Sequence, residues 1–286
     1  MKKFAVIDIG SNSVRLMFVA DGKVLYKRLN TTRLGEGLAN ACVLREEAIE
    51  RSAIAVAEFY AMAKSEGAER ICAFATAAVR SAQNGKAFVE RVRALCGLDV
   101  EVIAGETEAE IGILGALGNA DGGVIDIGGA STEIIVKEKG ELIYKKSVDI
   151  GVVRLKDKCG RDKNALMETA NAAGETFGQV PQATLHGIGG TATTLGALAL
   201  GLQTYDSEKV TGSIVTLAQM KTLADNLSAM SVEEIAQLPC IPKGRADVLS
   251  GGAVLLSVLM ERLGFDEIVI SDRDNLEGYA IYKGLM

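Results

Sequence analysis

Two acidic residues of this chain each stand near the end of an apolar run that breaks abruptly into small, hydroxyl-bearing residues. The first run is Val6-Ile7-Asp8-Ile9-Gly10, followed by Ser11-Asn12-Ser13. The second is Val124-Ile125-Asp126-Ile127-Gly128, followed by Gly129-Ala130-Ser131-Thr132-Glu133. Val and Ile in a short run form a buried strand, which puts Asp8 and Asp126 in a crevice and not on a solvated face. Glycine lets the backbone fold tightly enough for successive N–H groups to face one anion, and the hydroxyls of Ser131 and Thr132 add donors. A carboxylate would repel a phosphate held in such a loop unless a cation lay between them. Carboxylate plus phosphate loop therefore predicts a divalent metal, most simply Mg2+.

The two runs belong to a longer repeat. Ser13, Gly22, Tyr26 and Lys27 recur at the same spacing as Ser131, Gly140, Tyr144 and Lys145. Each copy reads strand, small-residue turn, strand, tight turn (Asp21-Gly22; Lys139-Gly140), strand. A single long-period repeat means two similar half-molecules, not a solenoid. Two such loops facing each other across a cleft would clamp a chain of phosphates.

A third glycine loop, His186-Gly187-Ile188-Gly189-Gly190-Thr191-Ala192, lies between a predicted strand and a predicted helix. Alone it satisfies the dinucleotide fingerprint, with Asp206 near the place of a ribose-binding acid. A nicotinamide-binding domain gives no reason for the two Asp-bearing loops elsewhere, whereas phosphate or nucleoside contact accounts for all three. Arg80, opening a helix after Arg70-Ile71-Cys72-Ala73-Phe74-Ala75, offers a planar fork of donors to an anion. Arg33, in a polar glycine-rich loop, is either solvated or within reach of a phosphate. Glu106, Glu108 and Glu110 crowd one strand-to-helix corner. Helix-dipole capping explains most of them, while one could orient a water as general base, and the spacing does not say which. His186, the only histidine, reads as a strand residue.

The elements that must position these residues follow from periodicity. Helices are predicted over 45–66 (with Ile49, Ala53, Val56, Ala57, Tyr60 and Ala61 on one face), from 88 to 95, from 105 towards 117, over 164–179, and through the apolar stretch from 244 to about 263. Ser231-Val232-Glu233-Glu234 has capping-box character, and a final strand at 267–270 precedes a last helix over 275–285. Residues 118–123 read as a junction, dividing the chain into 1–121 and 122–286.

A chain of 286 residues accommodates two ordinary domains. Its 48% hydrophobic and 24% charged residues make it globular. No apolar run is long enough to span a bilayer, so no membrane partner is expected. The N-terminus enters the first strand directly, which predicts no signal peptide and a cytoplasmic location. Five scattered cysteines without a Cys-x-x-Cys pair read as small core hydrophobes in a reducing compartment. A net charge of −6 argues against binding a nucleic acid polymer but leaves room for a small polyanion in a local pocket.

Taken together, these residues resemble the exopolyphosphatase / guanosine pentaphosphate phosphohydrolase (Ppx/GppA) family over the whole chain. The resemblance rests on Asp8 to Leu16, Arg33-Leu34-Gly35-Glu36-Gly37, Ala75 to Asn84 and Gly105 to Ala109. It continues through Asp126 to Glu133, Gly189-Gly190-Thr191 and Arg245-Ala246-Asp247-Val248. It implies an α/β fold of two ribonuclease-H-like domains of the actin–sugar kinase–Hsp70 superfold, an active site in the cleft between them, and a final helix (275–286) packed back on the first domain. By motif position Glu108 is similar to the family's catalytic base and Asp126 to its metal-associated aspartate, with Asp8 and Glu133 flanking a Mg2+ site. Ser11, Asn12, Ser13, Arg15, Arg80, Gly128, Gly129, Ser131 and Thr132 would bind phosphates, as would Gly189, Gly190 and Thr191. A homodimeric assembly is compatible with it.

Three departures stand out. Ala130 replaces a third glycine, which could tighten its loop. Glu110 stands where the family commonly has arginine, and Asp274-Asn275-Leu276-Glu277-Gly278 replaces a Gly-Leu-Arg-Glu-Gly-like pattern. The chain also stops where longer members continue, so short polyphosphates are the expected substrate. The expected reaction is hydrolysis of a terminal phosphoanhydride by a Glu108-oriented water. The rivals are guanosine pentaphosphate 5′-phosphohydrolysis, an actin-like-fold phosphotransferase such as a sugar or acetate kinase, and a non-catalytic nucleotide-binding regulator.

Overall fold

The two copies of the repeat build two antiparallel three-stranded units, and the rest of the chain extends each into a mixed sheet. The computed structural model describes residues 2–286. Strands β1 (Lys3–Ile9), β2 (Val14–Ala20) and β3 (Lys23–Asn30) form the first unit. Short α1 (Leu38–Ala41) and α2 (Glu46–Ser65) lead to β4 (Arg70–Ala75), α3 (Ala77–Ser81), α4 (Gly85–Cys96), β5 (Val100–Val102) and α5 (Gly105–Leu117). The second unit is β6 (Gly122–Ile127), β7 (Thr132–Glu138) and β8 (Glu141–Val148). It is followed by α6 (Val152–Cys159), α7 (Lys163–Phe177), β9 (Leu185–Ile188), α8 (Gly189–Ala199), α9 (Ser207–Val210) and β10 (Ile214–Thr216). The chain closes with α10 (Leu217–Ala229), α11 (Val232–Gln237), α12 (Ala246–Leu263), β11 (Glu267–Ile270) and α13 (Asn275–Tyr282).

The first sheet runs β3-β2-β1-β4-β5 and the second β10-β11-β9-β6-β7-β8. In both, the repeat's hairpins are antiparallel, and the strands added beside β1 and β6 (β4 and β9) are parallel to them. Both sheets thus share one α/β arrangement, an antiparallel three-stranded unit extended by parallel strands, which is the ribonuclease-H-like topology expected for each half. The central strands are apolar on both faces because helices cover both, as at the fully buried Val6, Ile7, Val124 and Ile125. The tight turns carry positive φ at both central residues, Asp21 (49°) and Gly22 (75°), Lys139 (54°) and Gly140 (81°). That geometry matches the twist of a two-residue hairpin. The repeat is conformational as well as sequential: each second strand slips register at the equivalent place, Phe18/Val19 and Val136/Lys137.

The α2 helix buries Ala48, Ile49, Ser52, Ala53, Ala55, Val56, Phe59 and Ala63. Its apolar stripe is rotated from the expected one: Ala61 is exposed, and Phe59 and Ala63 take the inner face. Residues 122 and 123, read as part of a junction, already belong to β6. The last helix, α13, packs on the first sheet, where Leu276, Tyr279 and Ala280 join Phe4, Val6, Met17, Val19 and Phe74 in one apolar cluster. It also crosses α5 backbone to backbone. A methyl added at Gly115 would lie 1.9 Å from the Asp274 carbonyl oxygen, and one at Gly278 only 1.6 Å from that of Ile111. This crossing brings the N-terminus of α13 to the mouth between the two sheets.

Candidate active site

Each Asp-bearing loop is held by the same device. Gly10 N–H donates to Ser13 O, and Gly128 N–H donates to Ser131 O, both at 3.0 Å. The carbonyls of Ser11 and Asn12 are then tied back by Gly35 N–H (2.8 Å) and by Thr32 and Arg33 N–H (3.1 and 2.9 Å). The carbonyls of Gly128 and Gly129 are tied back by the first amides of α6, Val152 N–H (2.9 Å) and Val153 N–H (2.8 Å). In a planar trans peptide the N–H of the next residue points opposite to the carbonyl. Anchoring the carbonyls behind each loop therefore turns its amides forward. Ala130 needs no positive φ in this arrangement, so it replaces glycine without backbone strain. The two loops touch: a methyl at Gly129 would lie 2.6 Å from Ser11 Cβ and 3.1 Å from Asn12 N.

Both loops open on one cavity of about 540 Å³. Its wall includes Asp8, Ser11, Asn12, Ser13, Arg15, Glu108, Asp126, Gly128, Gly129 and Ser131, together with Gly189, Gly190 and Thr191. Asp8 and Asp126 reach it because each lies near the C-terminal end of a central parallel strand, where open α/β sheets place their ligands. Three of the expected residues stand behind the wall. Thr132 donates its hydroxyl to Ile150 O at 2.6 Å. Glu133 faces Asp126 across the β6–β7 pairing and accepts from Ser147 Oγ at 2.6 Å. Arg80 donates to Glu108 Oε2 at 2.9 Å and to Ile103 O at 3.0 Å, holding the glutamate side chain in place. Arg33 pairs with Asp247 at 2.8 Å, and Glu110 with Lys145 at 3.0 Å. Asp206 N-caps α9 and His186 is a strand residue, and neither lines the cavity.

The cavity also holds residues that the loop motifs did not single out. Arg245, at the N-cap of α12, is only 7% exposed and lies along Gly190, where a methyl would meet its Nη1 at 1.8 Å. None of the ion pairs among the described residues involves it. Burial, then the charge of Arg15, pulls its guanidinium down to about 10, which still leaves it cationic at neutral pH. The sequence signal was an arginine heading a helix whose next turns are almost wholly apolar or small, with Val248 to Met260 all buried. Lys27, Asp274, Asn275 and Tyr205 also line the wall. Asn275 Nδ2 donates to Asp126 Oδ2 at 3.0 Å.

Acids outnumber the bases that neutralise them. Burial, then Asp274, Glu108 and Asp8, push Asp126 up to about 8 against the pull of Arg15. Burial also raises Asp8, with Arg15 opposing, and Glu108, with Arg80 opposing. Glu133 is raised by burial and then by Glu108 and Asp126. Such a cluster is stable ionised only beside a cation. The residues fit one: Asp8 Oδ1 is buried without a hydrogen-bond partner, and the donors are hard oxygens suited to Mg2+. Among the described residues no three His, Cys, Asp or Glu side chains are placed to form a closed cage. Mg2+ ordinarily uses one or two carboxylates and completes its shell with waters and substrate phosphates. Asp8 and Asp126 are the residues that would hold it.

Comparison with known proteins gives a consistent picture. The model of the Ppx/GppA phosphatase family matches residues 17–283. Exopolyphosphatase 2 of Mycobacterium tuberculosis is 32% identical, with 98% of either chain covered. A guanosine-5′-triphosphate,3′-diphosphate pyrophosphatase of Photobacterium profundum is 30% identical over 99% of this chain, which spans 58% of that protein. The crystal structure of the Aquifex aeolicus Ppx/GppA family member superposes with a TM-score of 0.80 at 30% identity, covering 99% of this chain and 98% of the other.

Proposed function

The chain belongs to the Ppx/GppA phosphatase family and is a phosphoanhydride hydrolase; we propose that it cleaves the terminal anhydride of inorganic polyphosphate, preferring short chains. The observation that carries this reading is the contact between two amide cradles on one cavity that also contains Glu108 and the unpaired Arg245. A linear polyanion fits such a double cradle because successive phosphates can be gripped from both halves at once. The exopolyphosphatase relative aligns end to end with this chain, which supports the same substrate class.

In this mechanism the loop amides of 11–13 and 129–131 bind the last phosphates and hold the scissile P–O bond in line with Glu108. Glu108, fixed through Oε2 by Arg80, orients a water and takes its proton as the water oxygen bonds to the terminal phosphorus. The bridging P–O bond breaks, giving orthophosphate and a chain one unit shorter. The raised proton affinity of Glu108, caused by burial, suits a base. A divalent cation at Asp8 and Asp126, when bound, supplies charge neutralisation at the phosphoryl oxygens.

Guanosine pentaphosphate is the second reading, favoured by Tyr205, Ile241 and Pro242 in the cavity wall, an aromatic ring and two apolar side chains that would accept a nucleoside. Phosphate release measured with polyphosphates of graded length, guanosine pentaphosphate and ATP, with and without Mg2+, decides between them. Glu108→Gln is expected to lower kcat by about a hundredfold or more with polyphosphate binding retained. Unchanged turnover in that variant would remove Glu108 from the mechanism.

A further inference from the structure

The altered segment at 274–278 places a carboxylate on the arginine best positioned to meet a substrate from the first half. Arg15, on β2, donates through Nε to Asp8 Oδ2 at 3.0 Å, and its Nη1 pairs with Asp274 Oδ2. Asp274 is 4% exposed and held from several sides. Its Oδ1 caps α13 by accepting from Leu276 N–H at 3.0 Å, and its own N–H donates to Glu277 Oε2 at 3.1 Å. Glu277 in turn binds Lys27 Nζ at 2.8 Å, and Lys27 donates to Asp272 O at 2.6 Å. Two of the three cations that the first half offers to the cavity are thus taken up by acids of the 272–277 segment, Lys27 by Glu277 and Arg15 by Asp274 in addition to Asp8, while Arg28 lines the wall without an ion pair among the described residues. Across the cavity Arg245 is uncommitted.

We propose that Asp274 is a built-in competitor for substrate phosphate at Arg15, an affinity-setting residue that an incoming phosphoryl chain has to displace. This rests on the reading of the cavity as a phosphate site, and it adds what the loops alone do not give. Capture begins on the Arg245 side, and Arg15 closes on the chain only when its ion pair with Asp274 breaks. The proton affinity of Asp274 is lowered despite burial because Arg15 and Lys27 outweigh it, so the competitor is charged. A carboxylate at that position repels any phosphoryl oxygen approaching Arg15. The consequence is a weaker hold on substrate and product alike, felt in KM and not in kcat.

The test uses the full chain carrying Glu108→Gln, so that the probe is not consumed, and measures inorganic tripolyphosphate binding by calorimetry at fixed ionic strength. Asp274→Asn removes the charge and keeps an N-capping side chain. Asp274→Gly, whose cost at an N-cap is a few tenths of a kcal/mol, also removes any residual acceptor for Arg15. Both are expected to bind tripolyphosphate about tenfold more tightly, equivalent to about 1.4 kcal/mol. Adding Arg15→Gln is expected to cancel the gain in a double-mutant cycle. With Glu108 restored, Asp274→Asn should lower KM with kcat unchanged. Binding within about twofold of the parent in both variants would overturn the competitor and leave the phosphate cavity standing. A gain that survives Arg15→Gln would overturn it as well. If no folded form binds tripolyphosphate, the phosphate cavity fails and the competitor with it.

Discussion

Asp126 is a half-buried acid on the cavity wall whose charge state depends on a cation, and replacing it by asparagine isolates that dependence. In the folded, cation-free chain its proton affinity rises from the usual 3.8 to about 8. At about 1.4 kcal/mol per decade, ionising it in place costs on the order of 6 kcal/mol. Relaxation and water entry reduce such penalties, leaving roughly 3 kcal/mol as the expected effect. The sign follows from proton counting. Between 3.8 and about 8 the folded chain holds a proton that the unfolded chain has released, so stability falls as pH rises through that window. Asparagine cannot ionise, and its carbonyl oxygen still accepts from Asn275. Urea denaturation in EDTA, followed by circular dichroism from about pH 5 to about pH 9, should therefore show Asp126→Asn growing progressively more stable than the parent. The difference should reach roughly 3 kcal/mol at the alkaline end. Millimolar Mg2+ should restore the parent at alkaline pH and leave the variant unmoved, because a cation that binds the folded form alone stabilises it. Parallel curves, differing by less than about half a kcal/mol throughout, would refute the reasoning that this carboxylate is stranded without a cation.

Two further outcomes test the packing that shapes the cavity. Gly129→Ala drives a methyl into Ser11 Cβ and the Asn12 amide, so the cradles must part; phosphate release should fall about a hundredfold while the urea midpoint shifts little. Gly105→Ala, whose methyl meets nothing nearer than 3.5 Å, is the control that should keep its activity. Gly278→Ala forces apart the backbone crossing of α13 on α5 and should destabilise the chain by about 3 kcal/mol or more; an unchanged melting temperature would show that the crossing yields at no cost.

Much of the frame is written locally. The repeat, its hairpins and the third glycine loop follow from apolar runs and small-residue breaks, because strand burial and turn geometry depend on near neighbours in sequence. The capping boxes at Ser231 and Asp274 are equally local, though only the first was expected. The rotated stripe of α2 was less legible, since alanine fits either side and the packed sheet chooses which is covered.

The site divides along the same line. Sequence alone placed Asp8 and Asp126 near the ends of buried strands beside phosphate-type loops, and put a basic Arg80 and an acidic Glu108 each on a helix that follows a strand. The tertiary structure decided which charges meet. Arg80 turns to Glu108 and not to the cavity, Arg33 goes to Asp247, and Glu133 and Thr132 fall behind the wall. It also carried α13 across from the end of the chain, setting Asp274 on Arg15 and Asn275 on Asp126, and left Arg245 alone against Gly190. The reason is physical: strand and turn formation are settled within a few residues, whereas the partner of a buried charge is whichever long-range contact survives close packing, and close packing is a property of the whole fold.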